Sequence, residues 1–149
     1  YTLRSYEQPG ITTSTAISGY WQPSTNGWIP SVSLGWGWNS TRYREGVDRT
    51  GLVAISQSWT VAVQWSDLFN TGTAMGAAVG QPIIATALVD GTNPDDAGYV
   101  MEWWTMLPVT DAITVTPAVF FLSRPLGADT PEGQQLNQLG ALVKTTLRF

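Results

Sequence analysis

Few residues in this chain could do chemistry, and their spacing works against most reactions. Ser66 and Asp67 stand side by side, a nucleophile next to a carboxylate. Activating a serine needs a base to take its proton, and the sequence holds no histidine. The pair therefore reads as a strand end passing into a turn. Asp95 and Asp96 could offer oxygens to a cation, but with Pro94 and Gly98 beside them a solvated turn is the simpler reading. Gly76-Ala-Ala-Val-Gly80 has the glycines of a phosphate loop without the Lys-Ser/Thr that must follow, and it sits in a strand pattern. Asn39-Ser-Thr41 is a glycosylation acceptor by pattern only. The absence of cysteine removes disulfides and thiolate metal sites. The expectation is a non-enzyme with no catalytic residue, no metal and no cofactor.

The elements that carry these residues alternate with a period of two. Val32, Leu34, Trp36 and Trp38 are apolar against Ser33, Gly35, Gly37 and Asn39. Trp59, Val61, Val63 and Trp65 share one face, with Thr60, Ala62, Gln64 and Ser66 on the other. Met101 and Trp103 alternate with Glu102 and Trp104, and Val115 to Phe121 continues the pattern. The chain ends with Leu139, Ala141, Val143, Thr145, Leu147 and Phe149 against Gly140, Leu142, Lys144, Thr146 and Arg148. Such alternation is the strand signal, and helical spacing does not compete with it. Strands are expected over about 1–8, 11–21, 31–39, 55–66, 73–88, 98–107, 112–122 and 139–149.

Composition then suggests what the strands face. Only 12% of residues are charged, about half the usual share, while the hydrophobic 43% is ordinary. Part of the exterior is expected to face something other than water. No apolar run is long enough for a membrane helix, which leaves the closed β-barrel as the spanning solution. The net charge of −4 speaks against nucleic acid as a partner. Trp59 and Trp65 bracket one strand and Trp21 and Trp28 flank a turn, which fits interfacial aromatic girdles. Connections alternate long and short, with the long ones near 40–51, 89–97 and 124–138 expected outside the cell. A soluble β-sandwich with its apolar face inward is the competing reading.

The stretches Gln57–Phe69, Gly76–Pro82, Asp95–Trp104, Val109–Pro125 and Lys144–Phe149 resemble the cyanobacterial outer-membrane porins of the carbohydrate-selective porin superfamily. The resemblance covers about two thirds of the chain and implies an all-β antiparallel transmembrane barrel. This chain would supply its seven or eight C-terminal strands out of about sixteen, as a single segment over 1–149. It also implies a homotrimer in the bacterial outer membrane. The terminal Phe149 would be the signal read by the barrel-assembly machinery.

On that expectation the chain forms a passive channel for small hydrophilic solutes, sugars or inorganic ions. Thr60, Gln64, Glu102, Lys144, Thr146 and Arg148 would line water, or pair across neighbouring strands to stabilise the wall. Trp36, Val61, Val63, Trp103, Val143 and Leu147 would face lipid. The alternative is a small filled barrel that anchors or adheres without conducting. Because seven or eight strands enclose no aqueous channel, the porin reading expects further chain on the N-terminal side.

Overall fold

The computed structural model describes residues 5, 7–25, 27–131 and 133–149. Seven strands follow one another: β1 (Gly10–Trp21), β2 (Ser31–Tyr43), β3 (Val53–Ser66), β4 (Ala74–Leu88), β5 (Tyr99–Thr110), β6 (Ile113–Ser123) and β7 (Asn137–Leu147). A single 3-10 turn, Gly127–Asp129, interrupts the last loop. The spans lie close to those read from the alternation, with β2 and β5 running longer. The strand expected over 1–8 is not formed by its described residues: Ser5 and Glu7 are helical, and the rest of its N-terminal part lies outside the described residues.

Each strand pairs antiparallel with the next, in the order β1-β2-β3-β4-β5-β6-β7. Among the described residues no connection carries a crossover helix, and antiparallel neighbours need none, so each strand turns back beside the last. Asp111 and Ala112 alone join β5 to β6. Asp67 and Gly72 form the β3–β4 turn, where both take positive φ, at 57° and 85°.

The expected closed transmembrane barrel is not what forms. Among the described residues β1 and β7 make no ladder with each other, and the sheet is open at both edges. Parity supplies a physical reason. In a seven-stranded antiparallel meander the two outer strands run in the same direction, so closing it on itself would require a parallel seam. The porin channel, the lipid-bilayer contact, the trimer, the partnership with the barrel-assembly machinery and the outer-membrane location all presupposed a closed barrel. So was the alternative of a filled anchoring barrel. All are corrected with it.

The sheet is also nearly without a core. Among the described residues the buried apolar ones are Leu52, Val53, Ala74, Ala85 and Ala118, and of these only Leu52 and Val53 are larger than alanine. Leu52, Val53, Ser56 and Ala85 gather at one end, where the start of β3 meets the end of β4. There Tyr43 donates its hydroxyl to Val53 O at 2.9 Å, and Val89 N–H reaches Leu52 O at 2.8 Å.

A bulge shapes this region. Trp59 faces Gln81, but Gln57 faces Ile84, so β4 holds an extra residue around Pro82 and Ile83. Proline cannot donate to a ladder and is tolerated inside a sheet mainly at such bulges. Pairing of β4 with β5 ends at Gly80–Val100, just before Pro82. Beyond it the carboxylate of Asp96 takes over from the missing strand, accepting the Ala85 N–H at 2.7 Å.

Candidate functional site

Register sorts the side chains onto two unlike faces. Ile17, Trp36 and Trp59 are successive cross-strand partners, as are Leu34, Val61, Val79, Met101, Phe121 and Leu139. A third row runs Trp21, Val32, Val63, Ala77, Trp103, Val119 and Ala141. These rows form one apolar face with no charged side chain across its middle. It is open to the surroundings: Trp36 is 44% exposed, Trp103 55%, Val143 67% and Leu139 77%. Its centre dips into a depression of about 700 Å³ bordered by Val61, Val79, Met101, Trp103 and Phe121.

All six residues expected to face lipid, Trp36, Val61, Val63, Trp103, Val143 and Leu147, lie on this face. Of the six expected to line a pore, Thr60, Gln64, Glu102, Lys144 and Thr146 lie on the opposite one. Arg148 sits just past β7, its N–H donating to Ala112 O at 2.9 Å. The structure thus brings each set together by face, while the open sheet supplies neither a lumen nor a barrel exterior to give the sets those roles. Glu102 stands opposite Phe120 and Lys144 opposite Thr116, so the charges are not direct cross-strand partners. Phe149 lies beyond β7 and is fully exposed.

The polar face is built from small residues and hydrogen bonds. Asn39 donates to Ser56 Oγ at 3.1 Å between paired strands. The two aromatics in its middle each lean over a glycine opposite: Trp104 over Gly76, and Phe120 over Gly140. On the apolar face the Trp59 indole N–H finds Gln81 Oε1 at 2.7 Å, which satisfies its polar atom without breaking the apolar row.

Loops at one end of the sheet are tied together by carboxylates. Asp90 accepts the Thr92 hydroxyl at 2.6 Å, the Gly51 N–H at 2.8 Å and the Thr92 N–H at 3.0 Å. The Thr92 hydroxyl, then the Gly51 and Thr92 amides, hold its carboxyl down at about 2. Asp96 accepts the Ala128 N–H at 3.2 Å besides that of Ala85. Arg124, at positive φ, reaches Asp95 O at 3.2 Å and Gly127 O at 3.4 Å. Together these join the loops following β2, β4 and β6. Sequence reasoning took Asp95–Asp96 for a solvated turn; Asp96 is a clasp between distant segments. A lone acidic pair gives no sign of this, because its partners are backbone amides remote in sequence.

The remaining surface is the pair of sheet edges. Every residue of β1 is exposed, as are most of β7. No described residue pairs with the outer side of either strand. The expected resemblance to the carbohydrate-selective porins required a closed barrel, and the open seven-stranded sheet overturns it. The chain matches no protein-family profile, no curated protein and no solved structure.

Proposed function

We propose that the chain is a non-catalytic β-sheet assembly module whose apolar face docks on an apolar, aromatic-rich protein surface. One observation carries this reading: a single layer of sheet exposes three rows of apolar side chains, most of them large, while burying almost none. Domains are stable when such a face is covered by a second layer of helix or sheet. Contiguous apolar patches beyond a few hundred Å² mark interaction surfaces. The uncharged middle of the face selects an apolar partner, and exposed Trp36, Trp59 and Trp103 are the residue type that dominates interface energetics. The tied loops at one end hold the sheet's register without contributing to that face.

The test compares two methionines. Met101 lies on the apolar face and Met106 on the polar one, at similar exposure of 45% and 38%. Hydroxyl-radical footprinting of the isolated chain should oxidise both. In the native assembly Met101 and Trp103 should be protected, with Met106 still labelled. Equal labelling of Met101 in both states would overturn the reading. So would protection conferred by lipid vesicles alone.

A further inference from the structure

The two edges of the sheet are not equivalent, and strand direction restricts what each can join. Because β1 and β7 run the same way, a copy added head to tail on the same face would meet the sheet through a parallel seam. A copy that continues the antiparallel ladder with its apolar face on the same side must instead pair like edge with like edge. The two copies are then related by a two-fold axis perpendicular to the sheet.

The β1 edge fits such self-pairing. Arg44 N–H donates to Pro9 O at 3.1 Å, in register with the β1–β2 ladder. Bonded and non-bonded pairs alternate along antiparallel strands, so the odd-numbered residues of β1 bond to β2. The even-numbered Gly10, Thr12, Ser14, Ala16, Ser18 and Tyr20 turn their N–H and C=O groups outward. Between Gly10 and Trp21 there is no charge and no proline. Natural edges are usually protected by such residues, or by bulges and coverage, and no described residue covers this one. The β7 edge carries Lys144 in its middle.

We infer that two copies of this chain pair through β1, antiparallel, with Thr15 or Ala16 opposite its own counterpart at the two-fold axis. Symmetry requires one residue to face itself, and these two registers leave nearly the whole strand paired. Neither sets like charges across the seam. The axis also leaves both apolar faces on the same side, so the dimer presents one face of twice the width. The inference goes beyond the proposed function and does not depend on what covers that face.

Sedimentation velocity over a concentration series should show a two-copy species. Ala16→Pro removes an outward donor and leaves the bonds of β1 to β2 in place, since proline is accepted on the solvent side of an edge. It should raise the dimer dissociation constant about tenfold or more, with the far-UV spectrum unchanged. If Ala16→Pro does not fold, Ala16→Lys sets like charges at the axis and should act alike. Ala141→Pro, on the outward side of β7, should leave the dimer intact. Since the chain has no cysteine, Thr15→Cys or Ala16→Cys should give a disulfide-linked dimer on oxidation, and Thr145→Cys should not. A chain that stays single at every concentration overturns the inference. A dimer that is lost with Ala141→Pro and survives the Ala16 variants also overturns it.

Discussion

Trp104 lies over Gly76, the residue directly opposite it on the neighbouring strand. A methyl group at Gly76 would enter the space of the indole and come within 2.8 Å of the Val63 carbonyl oxygen. The ring could turn aside, but the carbonyl belongs to the β3 backbone. Covering a strand glycine with a cross-strand aromatic protects backbone that would otherwise be open, and it fixes the rotamer of the aromatic.

Gly76→Ala should therefore destabilise the sheet by about 1–3 kcal/mol, the usual cost of overpacking. Gly19→Ala, where nothing lies within 4 Å, is the matching control and should change stability little. Urea unfolding of the two variants measures the difference. Equal midpoints would show that Trp104 does not hold this position.

The clasp at Asp96 should behave as a structural bond between loops. Asp96→Ala leaves the Ala85 and Ala128 amides without their acceptor and should cost about 1–3 kcal/mol. Hydrogen exchange at Ala85 should speed up in the variant, while exchange at residues in the middle of β2 and β3 keeps its order. Unchanged protection at Ala85 would show that another group holds it.

Asp90 predicts a response to acid. Its folded carboxyl is held at about 2, below the ordinary value of about 3.9. The stabilisation is thus fully present above the ordinary value and is lost as pH falls toward and through about 2. The amide resonances of Gly51 and Thr92 should shift together in that window, and in Asp90→Asn they should not. A midpoint near 4 would show that the clasp is not populated in solution.

The β3–β4 turn gives a further test. Asp67 accepts the Gly72 N–H and donates its own N–H to Thr73 O at 2.8 Å, at φ 57°. Asp67→Ala loses the acceptor and retains the unfavourable φ, so a loss of about 1–2 kcal/mol is expected. Asp67→Asn keeps an acceptor and suits positive φ, and should recover most of it. Thermal melts of both variants measure the effect.

What the sequence made legible was local. Alternation places Trp36, Val61, Val63, Trp103, Val143 and Leu147 on one face, and the structure puts them there, because the pleat enforces a period of two. Closure was not legible. Val61 alternates with Thr60 in the same way whether the strand belongs to a barrel, a sandwich or an open layer, and strand pattern carries no record of what the outermost strands meet. The edge of β1 was hidden for the same reason: Thr12 and Ser14 look like any polar strand positions until the ladder shows which amides turn outward. Asp90 and Asp96 act through amides of Gly51, Ala85 and Ala128, contacts that only the folded loops create.

The bulge at Pro82–Ile83 divides β4 into two stretches that are out of phase. Below it Val79 shows its side chain on the apolar face; above it the alternation resumes one step late, so that Ile84 stands opposite Gln57. Removing Ile83 would take out the surplus residue and straighten the ladder there, leaving Ile84 opposite Gln57 and Ala85 in its buried place opposite Ser56. A residue lost from the regular stretch between Gly76 and Gly80 has no such surplus beside it, and turns one end of the strand over to the other face. The bulge is thus slack in the strand: the loss of one residue is absorbed at Pro82–Ile83 and acts as a phase error in the regular stretch.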